Sequence, residues 1–199
     1  MNFLAHAYLS FNLPDILAGN LLSDFIKGKK KFEYSRAIQH GIILHRKIDE
    51  FTDHHETTSE AKEFFRKDYG LYAGPFIDIV YDHFLANDPV AFIDAQALAK
   101  FSQECYSKLE LYSAVFPEKF STLFYYMKNQ DWLYHYRFTN GIINSFAGLV
   151  RRSAYLTDHK TAEKIFHDHY AEIRAQYQLF FPQLKSFART ELDILLSSN

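Results

Sequence analysis

No stretch of this chain sustains the apolar–polar alternation of a half-buried β-strand, and turn-formers are scarce, with 7 Gly and 5 Pro in 199 residues. An all-β fold needs many tight turns and the residues that make them. What recurs instead is helical spacing. Ile38, Ile42, Ile48 and Phe51 follow a period near 3.6 within a helix predicted over 34–54. Residues 2–11 read as a short buried helix. Pro14 suits the first turn of a second, which runs to about Lys27 and stops at Gly28. Thr57–Thr58–Ser59 and Gly74–Pro75 open two more, and Asp88–Pro89 opens a long one reaching about Tyr112. Pro117 starts a short helix, and one or two surround Trp132 over 130–150. Thr157–Asp158 precedes a helix through Phe181, which Pro182 interrupts before a last helix to about Leu196. The expectation is an all-α fold of about eight to ten helices, in one compact domain spanning 1–199.

Composition narrows the classes further. Hydrophobic residues at 48% suffice for a sizeable core. One cysteine, Cys105, excludes a disulfide framework within the chain. No apolar run reaches the roughly 18 residues of a membrane span, and the opening residues lack a signal-peptide pattern. A cytoplasmic protein with no membrane partner is the expectation. Net charge is −2, and aromatics at helical spacing suit a core, so nothing points to nucleic acid. Lys27, Lys29, Lys30, Lys31 and Arg36 nevertheless cluster between two predicted helices. They form either a solvated loop or a docking patch for an acidic partner or a phosphate.

Ionisable side chains are embedded in this apolar setting. His45 and Asp49 lie four apart on one helix, as do Asp78 and Asp82, with His83 on the next ridge. Asp24 is flanked by Phe25 and Leu22, and His6 sits within Phe3–Leu4–Ala5. Buried imidazole and carboxylate groups are costly without compensation, which a divalent metal provides. Each pair alone also fits a core histidine bonded to a neighbouring acid. Asp53 fits a solvated helix end, and His54–His55 and His167/His169 fit the surface. No Gly-x-Ser-x-Gly elbow, Walker A loop, dinucleotide loop or zinc-type Cys/His spacing occurs.

Taken together, the segments resemble the acyl carrier protein phosphodiesterase family. The matching stretches are Met1–His6, Gly19–Gly28 with Asn20, Asp24 and Lys27, Gly41–Asp53 with His45, Arg46 and Asp49, and Asp78–Leu85 with Asp82 and His83. Asp131–Arg137 and Phe180–Pro182 extend the likeness. The chain departs from it after Leu85, where Ala86–Asn87–Asp88–Pro89 replaces a more basic and aromatic stretch. The resemblance implies an all-helical relative of the His-Asp (HD) metal phosphohydrolases. Its implied activity removes 4′-phosphopantetheine from holo-acyl carrier protein with a divalent metal, Mn²⁺ before Mg²⁺. On that reading Asp24, His45, Asp82 and His83 form the metal core. Asp49 is a ligand or base, His6 a reserve ligand and Asp78 a supporting residue, while Arg46 or Lys27 neutralises phosphoryl charge. The alternatives are a phosphohydrolase for nucleotides or other small phosphoesters, and a non-catalytic helical binding protein.

Overall fold

A computed structural model describes residues 1–198. Among them are eleven α-helices and no strand: α1 Phe3–Tyr8, α2 Pro14–Leu22, α3 Arg36–His54, α4 Glu56–Tyr69, α5 Ala73–Ala86, α6 Ala95–Glu110, α7 Glu118–Asn129, α8 Trp132–His135, α9 Thr139–Arg152, α10 Lys160–Asp168 and α11 Tyr170–Ser197. The all-α expectation holds.

Helix α5 is the axis. Phe76, Ile77 and every residue from Ile79 to Ala86 are buried, as suits a helix apolar around its whole circumference. Helices α1, α4, α9 and α11 pack around it. Phe76 stacks on Phe65 of α4 with ring centroids 5.6 Å apart, and Tyr81 stacks on Phe180 of α11 at 5.3 Å. Full burial of each such ring contributes about 1.5–3 kcal/mol.

Helices α2 and α3 cross backbone to backbone at a glycine pair. A Cβ built on Gly19 would lie 2.0 Å from the Ile38 carbonyl oxygen, and one on Gly41 would lie 2.5 Å from that of Ile16. Only residues without a side chain permit this approach. The crossing holds the chain beyond α2 against α3, and that placement builds the site described below.

Several boundaries differ from expectation. Helix α2 stops at Leu22, and a 3-10 turn over Ser23–Phe25 leads to extended backbone at Ile26. Asp88–Pro89 does not start a helix: Asp88 accepts a hydrogen bond from the Val90 N–H at 2.9 Å and closes a turn. Helix α6 begins six residues later, where the Asp94 carboxylate caps the Ala97 N–H at 2.8 Å. The predicted helix through Phe181 is broken at His169 instead, and α11 continues straight through Pro182. Pro182 and Gln178 both face solvent, so water can satisfy the carbonyl that the proline leaves without a donor.

Candidate metal centre

Three elements converge on one cluster. Helix α1 brings His6, helix α3 brings His45 and Asp49, and the 3-10 turn after α2 brings Asp24. The Asp49 carboxylate lies at the centre. Its Oδ1 is 3.1 Å from His6 Nε2, and its Oδ2 is 3.1 Å from His45 Nε2. Asp24 Oδ1 approaches the same His45 nitrogen at 3.1 Å from the solvent side. Donor atoms of His6, His45 and Asp49 all fall within 4.8 Å of one another.

The tautomer of His6 is set by a buried network. Asn20 donates from Nδ2 to the His6 carbonyl at 3.0 Å and to Ser10 Oγ at 3.1 Å. Its Oδ1 is therefore free to accept from His6 Nδ1–H at 2.8 Å. That leaves the Nε2 lone pair of neutral His6 aimed at a carboxylate oxygen, and this buried nitrogen has no hydrogen-bond partner. A buried acceptor facing another acceptor is unfavourable unless a cation lies between them. Two imidazole nitrogens with carboxylate oxygens form a donor set for a divalent metal, and a second hydrogen bond orienting the ligating ring is a recurrent feature of such sites.

The two rings hold protons differently. Burial, followed by the neighbouring His45, lowers His6 to about 4, so it is neutral at ordinary pH. Burial opposes charge on His45 as well, but the hydrogen bonds to Asp24 and Asp49 outweigh it and raise the ring to about 9. Asp49 also resists ionisation through burial, yet the Met1 ammonium and the two histidines hold it far below the usual carboxylate range. The His45 hydrogen bond likewise lowers Asp24.

The Met1 α-ammonium belongs to this cluster and has no sequence signal as a side chain. It is buried, 3.3 Å from Asp49 Oδ1 and 3.2 Å from Asp78 Oδ1. Burial works against its charge, but Asp78 and Asp49 together raise it to about 11. Asp78, expected as a supporting residue, thus anchors the first residue of the chain.

Asp82 and His83, expected in the metal core, lie outside the cluster because their polar atoms are engaged elsewhere. Asp82 is fully buried and accepts from the Leu4 N–H at 2.7 Å and the Ala5 N–H at 3.1 Å. It caps α1 from a neighbouring helix, in place of Asn2, whose side chain makes no capping bond. Burial raises Asp82 to about 7, against the pull of the two N–H donors. His83 points to the opposite flank. Its Nδ1–H donates to the Tyr136 carbonyl at 2.8 Å, and its Nε2 lies 3.1 Å from the Tyr170 hydroxyl, leaving no nitrogen for a metal.

The remaining candidates are peripheral. Arg46 is exposed and donates to the Ile26 carbonyl at 3.4 Å, tying the segment after Asp24 to α3. Lys27 is exposed beside that segment. Asp53 pairs with Lys62 at 2.8 Å, as a surface carboxylate does. His54 and His167 are exposed, while His55 and His169 pack on Phe180 and Phe64.

A helical frame carrying two buried histidines, a half-buried carboxylate and an exposed one defines a protein with a centre compatible with a divalent metal. The sequence matches the family model described as acyl carrier protein phosphodiesterase over residues 1–184, and the chain belongs to that family. It is 31% identical to the acyl carrier protein phosphodiesterase of Photorhabdus laumondii, over 96% of each chain. It is 30% identical to that of Serratia proteamaculans, over 95% of this chain and 98% of the relative. No solved structure matches it.

Proposed function

We propose that this protein hydrolyses the phosphodiester joining 4′-phosphopantetheine to the serine of holo-acyl carrier protein, with a divalent metal held by His6, His45, Asp49 and Asp24. The observation that carries the reading is the buried His6 nitrogen facing Asp49 without a hydrogen bond, on a ring whose other nitrogen is locked by Asn20. Nitrogen and oxygen donors suit Mn²⁺, with Mg²⁺ next. Bound there, the metal supplies Lewis acidity to a phosphoryl oxygen and to the attacking water.

The chain's own residues do the rest. Asp24 is the exposed carboxylate of the cluster and stands on the side from which substrate arrives. To ligate, His45 would release its Nε2 proton, and Asp49 ties both rings to one centre. The Met1 ammonium holds Asp49 and is itself held by Asp78.

The basic segment next to Asp24 is the docking face. Gly28–Glu33 forms an exposed 3-10 turn presenting Lys29 and Lys30, with Phe32 64% exposed among them. Carrier proteins are acidic, so this rim draws the substrate toward the cluster. The whole chain acts as one domain, and such a substrate places its work in the cytoplasm and in lipid metabolism.

The test is direct. Purified protein is incubated with holo-acyl carrier protein and Mn²⁺, and the carrier is weighed by mass spectrometry beside an Asp49→Ala control. A fall to the apo mass with wild type alone is expected. An unchanged carrier mass with folded, metal-supplied protein refutes the proposal.

A further inference from the structure

A cavity of about 770 Å³ is bordered by Asn2 and Ile79, the chain neighbours of Met1 and Asp78, and has no role in what precedes. This is the size range of small-molecule sites. One wall is helix α9, which lines it with Asn140, Asn144, Gly148 and Arg151. These positions recur every three or four residues along one face and span about 17 Å of helix. The lining also includes the aromatic side chains of Phe3, Trp132 and Phe138. The cavity is therefore elongated along α9 and lined by both aromatic rings and amide and guanidinium groups.

Its end is tied to the cluster on two elements. Asn2 and Phe3 line it, and the residue before them, Met1, contacts Asp49 and Asp78. Ile79 also lines it, next in the chain to Asp78. The cavity wall thus begins one residue from the Met1 ammonium and one residue from the Asp78 carboxylate.

We propose that this cavity holds the pantetheine arm of the substrate while the phosphodiester lies at the metal cluster. The assignment rests on the hydrolase reading given above. The occupant follows from the lining. A bare acyl chain has no use for a row of amides. Pantetheine is an elongated chain whose two amides require hydrogen-bond partners and whose methyl and sulfur ends suit aromatic walls. Asn140 and Asn144 supply both donors and acceptors. Neither Arg151 nor Arg152 joins an ion pair among the described residues, so both can donate to the arm's carbonyls.

Gly148 offers a clean block. A Cβ there meets only the flexible ends of Arg152, at 3.3 Å, and Arg151, at 3.9 Å. A larger side chain therefore enters the cavity without backbone collision, and it raises helix propensity. Asn144 is exposed and gives a second block less tied to packing. Pantetheine, the arm without its phosphate, is titrated against the emission of Trp132, the only tryptophan of the chain. Wild type should show a saturable change. Gly148→Leu and Asn144→Phe should bind pantetheine about tenfold more weakly, a loss of about 1.4 kcal/mol, and raise KM for holo carrier protein in step. A flat wild-type titration, or two folded variants with wild-type pantetheine affinity and KM, overturns the assignment. Saturable binding to wild type that leaves the carrier uncleaved would instead sink the hydrolase reading and spare the cavity.

Discussion

The rings of His6 and His45 stack 4.0 Å apart at an interplanar angle of 18°, yet they hold protons in opposite ways. His6 is pushed down to about 4 by burial and by its neighbour, while His45 is raised to about 9 by two carboxylates that overcome its burial. Of the two rings, His45 is therefore the one that holds a proton at Nε2 at neutral pH, facing Asp24 and Asp49. Binding must displace it, whereas His6 has none to lose at neutral pH. Apparent Mn²⁺ affinity should rise about tenfold per pH unit from pH 6 and level off near pH 9. Calorimetry in buffers of differing ionisation heat should count about one proton released per metal. A pH-independent affinity would remove His45 from the ligand set.

Asn20 controls the other ring. Asn20→Leu removes the acceptor for His6 Nδ1–H and the donor to the His6 carbonyl, so the ring loses its fixed tautomer. Mn²⁺ affinity should fall about 10–100-fold, the usual effect of deleting a group that orients a ligand. Metal titration followed by electron paramagnetic resonance, with circular dichroism to verify the fold, checks it.

Asp82 should behave as a structural residue. Asp82→Ala leaves two buried N–H groups, those of Leu4 and Ala5, without an acceptor and costs about 2–4 kcal/mol. The urea midpoint should fall accordingly, and Asp82→Asn should recover part of the loss by restoring one acceptor. A metal ligand would give the opposite pattern: Asp82→Ala at wild-type stability with Mn²⁺ binding abolished.

The basic rim makes a kinetic prediction. Reversing Lys29, Lys30 and Lys31 to Glu should raise KM for the carrier about tenfold at low salt, with little change in kcat, since these side chains steer rather than react. Wild-type KM should climb with ionic strength and the triple variant's should not. Equal salt dependence in both would exclude the rim from docking.

Helix register was legible wherever burial on one face imposed a period. The spacing of Ile38, Ile42, Ile48 and Phe51 predicts a helix over 34–54, and α3 covers Arg36–His54. The same register places His45 above Asp49, and the structure brings both to His6 and Asp24. Asp82 and His83 stand apart from the cluster, since periodicity fixes the face of a residue and not the partner awaiting it. A carboxylate that caps another helix and one that binds a metal look alike in a single sequence. The Met1 ammonium carries no residue-type signal at all, and the role of Asn20 depends on a carbonyl fourteen positions away. Asp88–Pro89 resembles a helix start, but the start went to Asp94, whose carboxylate reaches the N–H three residues on.

The glycine crossing of α2 and α3 has a consequence for how this protein can vary. Gly19 and Gly41 set the gauge between the backbone leading to Asp24 and the helix bearing His45, and the clearance is less than one methyl group. Neither residue ligates, donates or titrates, yet the centre inherits its tolerances from them. A saturation scan scored on turnover should therefore rank both glycines beside the histidines, marking positions whose importance lies in the absence of any side chain.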